Sequence, residues 1–245
     1  MFVLAHLLVG ILIGILLYLW RRERWLVLAA AVGSILPDLI DKPLGHIFLT
    51  GSVNFGRIYF HTLIFLLAFV IAGVLIWWKY RSFIGIALAL GVLSHQVLDR
   101  MWVEYWNWLW PFLGPFRGRE IENFFLDGLL RELANPSEWI FGLAILLVLI
   151  SLPRIGMRAG DSPGHHPWAR DHPLIFRIFA GICVVLLAHA GAFAIACGIT
   201  GTPCPATGLN DPEDNLLLGI VMIGGALFLG WIDLKRDSPG HNPKK

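Results

Sequence analysis

The stretch that decides the fold is "MFVLAHLLVGILIGILLYLWRRER", residues 1–24. From Phe2 to Trp20 it holds no Asp, Glu, Lys or Arg, and a basic cluster follows at once. A helix needs about 20 largely apolar residues to cross a bilayer. The run is longer than the apolar core of a signal peptide, about 7–15 residues, and it lacks a basic lead and a small-residue cleavage site. It therefore reads as a retained transmembrane helix. The rest of the chain follows suit, at 57% hydrophobic and 15% charged, against about 45–50% and about 25% for soluble domains. Further candidate spans cover 60–78, 83–99, 138–153, 174–198 and 215–234. The shorter run 25–36, "WLVLAAAVGSIL", ends ahead of Pro37 and counts as a seventh segment. The expected fold is all-α: a polytopic transmembrane helix bundle of about seven membrane segments.

Charge orients these segments, because Lys and Arg favour the cytoplasmic side. "RRER" (21–24), "KYR" (79–81), Arg154 with Arg158, and "LKR" (234–236) follow alternate spans. That places the N-terminus outside and the C-terminus in the cytoplasm of a cell with an inner membrane. Trp25, Trp77, Trp78, Trp139 and Trp231 fall near span ends, where aromatic belts form. The expected organisation is a membrane domain over 1–153, a polar connection over 154–173, a C-terminal helix pair over 174–234 and a flexible tail over 235–245. In the long 100–137 connection, the apolar positions of 119–133 share a helical face. They read as an interfacial helix, with packing over the bundle mouth as the alternative. "DSPGHHP" (161–167) recurs as "DSPGHNP" (237–243), and both read as solvated turns. Cys197 and Cys204 flank "GITGTP" on the outer side, where a disulfide is permitted. The net charge of +2 is small and no nucleic-acid motif occurs, so no nucleic-acid partner is expected.

The polar residues inside or beside the apolar runs carry the functional reading. An Asp at the centre of a membrane helix costs roughly 2.5–3.5 kcal/mol on insertion scales, and such residues usually mark a site. His6 interrupts the first span. Asp38 and Asp41 follow the short one. His61 opens the next, and His95 and Asp99 close the fourth. With the charge-derived orientation, all six lie at the outer end of the bundle. His95 and Asp99 are neighbours at i,i+4, and Gly10 and Gly14 keep one side of the first helix small enough for close packing. Imidazoles and carboxylates together suit a divalent metal, zinc before manganese or another ion. His6, Asp38, Asp41, His61, His95 and Asp99 are the candidate ligands, of one ion or of two bridged by carboxylates. Asp38 or Asp41 is a candidate general base, and Arg57 a candidate binder of substrate phosphate. A metal-activated water acting on a phosphoester or lipid-like substrate is the first reading. A transporter or ion pathway and a non-catalytic metal-stabilised scaffold are the alternatives.

An early His within an apolar helix, then "GSILPDLID", then Arg-x-x-x-His-Thr at 57–62, then "SHQVLD", then "LWPF", resemble a family of LexA-binding inner-membrane metal-dependent hydrolases. The match covers roughly residues 1–115. The resemblance implies a hydrolase whose metal and catalytic set is His6, Asp38, His61, His95 and Asp99. It names no substrate. The family's central motif reads His-Arg-Gly-x-Thr-His-Ser, and Gly56 stands here where its first His would be.

Overall fold

The structure is a computed structural model that describes residues 3–118, 127, 128, 130, 133–152 and 173–236. The described residues form helices and turns, with one isolated bridge between Cys204 and Leu209. They pack as two units, Met1–Ala134 and Asn135–Lys245.

The first unit holds α1 (Val3–Arg21), α2 (Trp25–Pro43), α3 (Leu63–Tyr80), α4 (Ile84–Leu98) and a single turn, α5 (Tyr105–Trp108). Helix α2 packs against both α1 and α4, and α4 also meets α3. Lipid tails are as apolar as Leu, so helices in a membrane associate by close packing rather than by escape from water. Glycine makes that possible here. A Cβ on Gly10 of α1 would run into Ser34 of α2, and one on Gly91 of α4 would run into the carbonyl of Ala30. Helix α3 buries little besides Leu66 and Gly73 and presents Leu67, Ile71, Leu75 and Trp78 outward. That is the surface a lipid-facing helix needs.

Two expectations change. The run 25–36 does not stop at Pro37, because α2 continues to Pro43 and carries Asp38 and Asp41 within it. A proline inside a helix withholds one N–H and loosens the preceding turn, yet α2 has neighbours on two sides to hold it. The 60–78 span begins at Leu63, since Tyr59–His61 is a 3-10 turn. Thr62 then caps α3, accepting from the Phe65 N–H at 3.3 Å. By length and composition, four described helices are long and apolar enough to cross a membrane: Val3–Arg21, Leu63–Tyr80, Arg177–Thr200 and Pro212–Ile232. Ile84–Leu98 and Pro136–Ser151 are shorter apolar helices, and α2 carries charge in its last turns.

The second unit holds α6 (Pro136–Ser151), α7 (Pro173–Thr200) and α8 (Pro212–Arg236). Helices α7 and α8 form an extensive pair, and α6 packs on both. The division at 134/135 thus lies ahead of the polar connection that composition marks at 154–173, because α6 packs with the helices that follow it. Asn135 starts α6 by accepting from the Ser137 N–H at 3.0 Å, with Pro136 in the first-turn position that tolerates it. The Asn135 amide also donates to the Thr207 carbonyl. The Thr207 hydroxyl donates to Asn215 Oδ1, and Asn215 Nδ2 donates to the Leu209 carbonyl at 3.2 Å. This neutral network ties the 201–211 connection to α6 and α8. Most of the expected 119–133 helix, nearly all of 154–173 and both Asp-Ser-Pro-Gly segments lie outside the described residues.

Candidate metal centre

Four elements of the first unit deliver ionisable groups to one point. Helix α2 brings Asp38 and Asp41, one turn apart. The 3-10 turn brings His61. Helix α4 brings His95, and Asp99 caps its end. Helix α1 brings His6. All six are buried, none more than 7% exposed. Burying that many polar groups is costly unless they satisfy one another or a ligand.

The hydrogen bonds set the tautomers. Asp41 Oδ2 lies 2.8 Å from His61 Nδ1, and a carboxylate can only accept, so Nδ1 carries the proton. The same oxygen accepts from the backbone N–H groups of Ile58 and His61 at 3.2 and 3.1 Å. Asp41 therefore fixes the whole turn that carries His61. His95 Nδ1 lies 2.7 Å from the Ser34 carbonyl and must donate as well. Ser34 is three residues before Pro37, in the turn that a proline loosens.

Both rings consequently present an Nε2 lone pair, and the two Nε2 atoms stand 3.0 Å apart. Asp38 Oδ1 lies 3.6 Å from His61 Nε2 and 3.8 Å from His95 Nε2. Asp99 Oδ2 lies 3.7 and 3.9 Å from the same two atoms. Two facing lone pairs need positive charge between them, either a proton or a metal ion. Two carboxylates converging on the same point favour a divalent ion. A tetrahedral zinc shell with bonds of about 2.0–2.1 Å keeps its donors roughly 3.3–3.4 Å apart, and the spacings here bracket that. One ligand atom from each of Asp38, His61, His95 and Asp99 fits within 4.8 Å of all the others. The donor set fits a metal.

The remaining candidates sit around these four. His6 is outside the group. Its Nε2 pairs with Asp99 Oδ1 at 3.2 Å, and its ring lies against His95 with centroids 4.2 Å apart. Asp41 lies against Nδ1 of His61, the nitrogen on the far side of the ring from the group. Arg57 Nε pairs with Asp99 Oδ2 at 3.0 Å, and Lys42 Nζ pairs with Asp38 Oδ2 at 2.7 Å. Their side chains remain 29% and 27% exposed, so each cation pairs with a carboxylate of the group and is still partly exposed. With neutral imidazoles, three carboxylates stand against two cations, and a divalent ion brings the cluster to one net positive charge.

Several supports escape a reading of the sequence. Gln96 donates to the carbonyls of Phe60 and Thr62 at 3.3 and 3.2 Å and accepts from Trp108 Nε1 at 2.9 Å. It pins the His61 turn and the aromatic connection to α4. The Asp38–Lys42 pair follows i,i+4 spacing and was readable; the Ser34 carbonyl was not, since a backbone acceptor leaves no mark in sequence. At Gly56, a Cβ would lie 2.8 Å from His46 Nε2, so the His46 ring occupies the space beside the glycine.

Fold and site together define a helical membrane protein with a buried Asp/His centre of metal-binding type. A family model described as YdjM inner membrane protein matches residues 1–159, and the chain belongs to that family. The match includes every residue of the centre. No curated protein and no solved structure matches the chain.

Proposed function

We propose that this chain is a membrane-embedded, metal-dependent hydrolase acting on a phosphoester or lipid-like substrate. The observation that carries the reading is the pair of Nε2 atoms facing each other at 3.0 Å between two carboxylates. Asp38, His61, His95 and Asp99 would hold one ion, with zinc the best fit to this donor set and manganese the next. Such an ion supplies Lewis-acid chemistry, activating water and polarising a phosphoryl oxygen. Asp41 and the Ser34 carbonyl hold the two rings in the ligating tautomer, as second partners of metal-bound histidines do. Lys42 and Arg57 pair with Asp38 and Asp99 and stay partly exposed, and from there their charge would help to neutralise an arriving phosphate. A membrane lipid is the natural partner of a centre carried on apolar helices. The charge pattern supports an outer N-terminus and a cytoplasmic C-terminus, with the centre opening to the outer side.

A second reading rests on the donor count. Four protein donors can close a tetrahedral shell, as structural zinc sites do. The ion would then tie α2, α4 and the His61 turn together without turnover. Purified protein separates the readings. Metal content is measured for wild type, His61→Ala and Asp99→Ala, alongside hydrolysis of chromogenic phosphodiesters and of phospholipid vesicles. Wild type is expected to hold about one ion and turn over, and Arg57→Ala to keep the ion while losing rate. Wild type that holds no ion after loading with zinc or manganese overturns both readings. An ion without turnover on any substrate supports the scaffold, and metal flux into liposomes supports a transport role. For orientation, a cysteine placed at position 46 should react with an impermeant label from outside.

A further inference from the structure

The second unit contains a pair of sulfurs that the metal chemistry does not use. Cys197 lies in the last turns of α7, and Cys204 lies in the connection to α8. Both are buried, at 5% and 2% exposure, in one small cluster with Ala194 and Ala206. Both are free thiols packed in that one cluster. The third cysteine, Cys183, is buried within α7 and belongs to no such pair.

The clustering is built rather than incidental. The chain reverses after α7, with Gly201 at φ 67° and the Thr202 N–H donating back to the Cys197 carbonyl at 3.1 Å. That reversal brings residue 204 alongside residue 197. Cys204 is then held on its own backbone. Its N–H donates to the Leu209 carbonyl at 3.0 Å, and its carbonyl accepts from the Gly208 N–H at 2.7 Å. The Thr207–Asn215 and Asn135–Thr207 hydrogen bonds lock the same connection to α8 and α6. A thiol fixed beside another thiol by backbone, side-chain and apolar contacts has lost most of the freedom that disulfide closure removes.

We propose that Cys197 and Cys204 form a disulfide that closes the α7–α8 connection on the oxidising side of the membrane. The oxidant is a protein dithiol–disulfide of that compartment. One cysteine thiolate attacks a sulfur of the oxidant's disulfide and forms a mixed disulfide. The other displaces the oxidant's sulfur. One S–S bond breaks and one forms, the oxidant leaves as a dithiol carrying the two electrons, and the two protons pass to its sulfurs. Both cysteines are buried in the folded unit, so exchange precedes closure of the connection. The inference is independent of the metal reading. It shares with it only the outward placement of the 201–211 connection.

The test counts thiols in the full-length protein taken directly from membranes. Cells are quenched in acid, denatured in detergent and alkylated with N-ethylmaleimide, and the intact mass is read with and without prior reduction. One adduct without reduction, three after it, and a 197–204 cross-linked peptide are expected. Cys204→Ser should carry two adducts under both conditions. Three adducts without reduction, or a cross-link that includes Cys183, overturns the proposal. Metal content and hydrolysis have separate readouts, so failure here leaves the metal reading standing and failure there leaves this one standing.

Discussion

Among the described residues, each unit carries a buried polar cluster, and the two differ in what they ask of their surroundings. The cluster of Asn135, Ser137, Thr207 and Asn215 is made of amides and hydroxyls that donate to and accept from one another. Glu138 is buried beside Asn135 in the first turn of α6, where the helix dipole favours a carboxylate. The cluster of Asp38, His61, His95 and Asp99 is different in kind. Its outer atoms are satisfied by Asp41, Ser34, Lys42 and His6, Arg57 pairs with the inner oxygen of Asp99, and the inner atoms converge on one point. A self-satisfied neutral network fastens a loop. A charged cluster with its lone pairs turned inward could hold a metal ion.

That contrast can be broken by substitution. The largest effect is expected at the inner ligands: His95→Ala or Asp99→Ala should abolish stoichiometric metal binding, read by elemental analysis of purified protein. Retention of a full equivalent by either variant would remove the four-donor site. Asp41→Asn should keep the fold and weaken metal affinity about 10–100-fold, the usual cost of losing the partner behind a ligating histidine. Chelator competition measures it, and an unchanged affinity would show that the His61 tautomer does not depend on Asp41. In the other cluster, Asn215→Ala should leave metal content untouched and cost about 1–3 kcal/mol, the penalty for stranding buried hydrogen-bonding groups. Thermal unfolding in detergent reads that loss. The smallest effect belongs to Trp108→Phe, which removes one hydrogen bond to Gln96 and should cost about 0.5–1.5 kcal/mol with little change in affinity. A large drop in affinity there would mean that the aromatic connection positions His61 more firmly than one bond suggests.

Much of this was legible in the chain itself, for identifiable reasons. His95 and Asp99 stand at i,i+4 at the end of an apolar run, and Asp38 and His61 stand beside others, so the cost of putting them in a membrane marked them as a set. The close approach at Gly10 was also readable, since only small residues permit it. The roles were less accessible. His6 and Asp41 carry the same chemistry as the four inner ligands and appear at the same ends of the runs, yet one holds Asp99 and the other holds His61. Pro37 read as a stop because propensity is local, whereas α2 is stabilised through it by contacts with α1 and α4.

The sequence alone determined that the chain is built of apolar helices and that His6, Asp38, Asp41, His61, His95 and Asp99 gather at one end of the first few of them. Burial in lipid depends on hydropathy and length, and both are written along the chain. Tertiary structure alone decided which nitrogen of each histidine faces inward, which carboxylates point at the centre, and which stand behind it. Those choices depend on partners such as the Ser34 carbonyl, separated from His95 by 61 residues. A hydrogen bond of that kind exists only once the helices have packed.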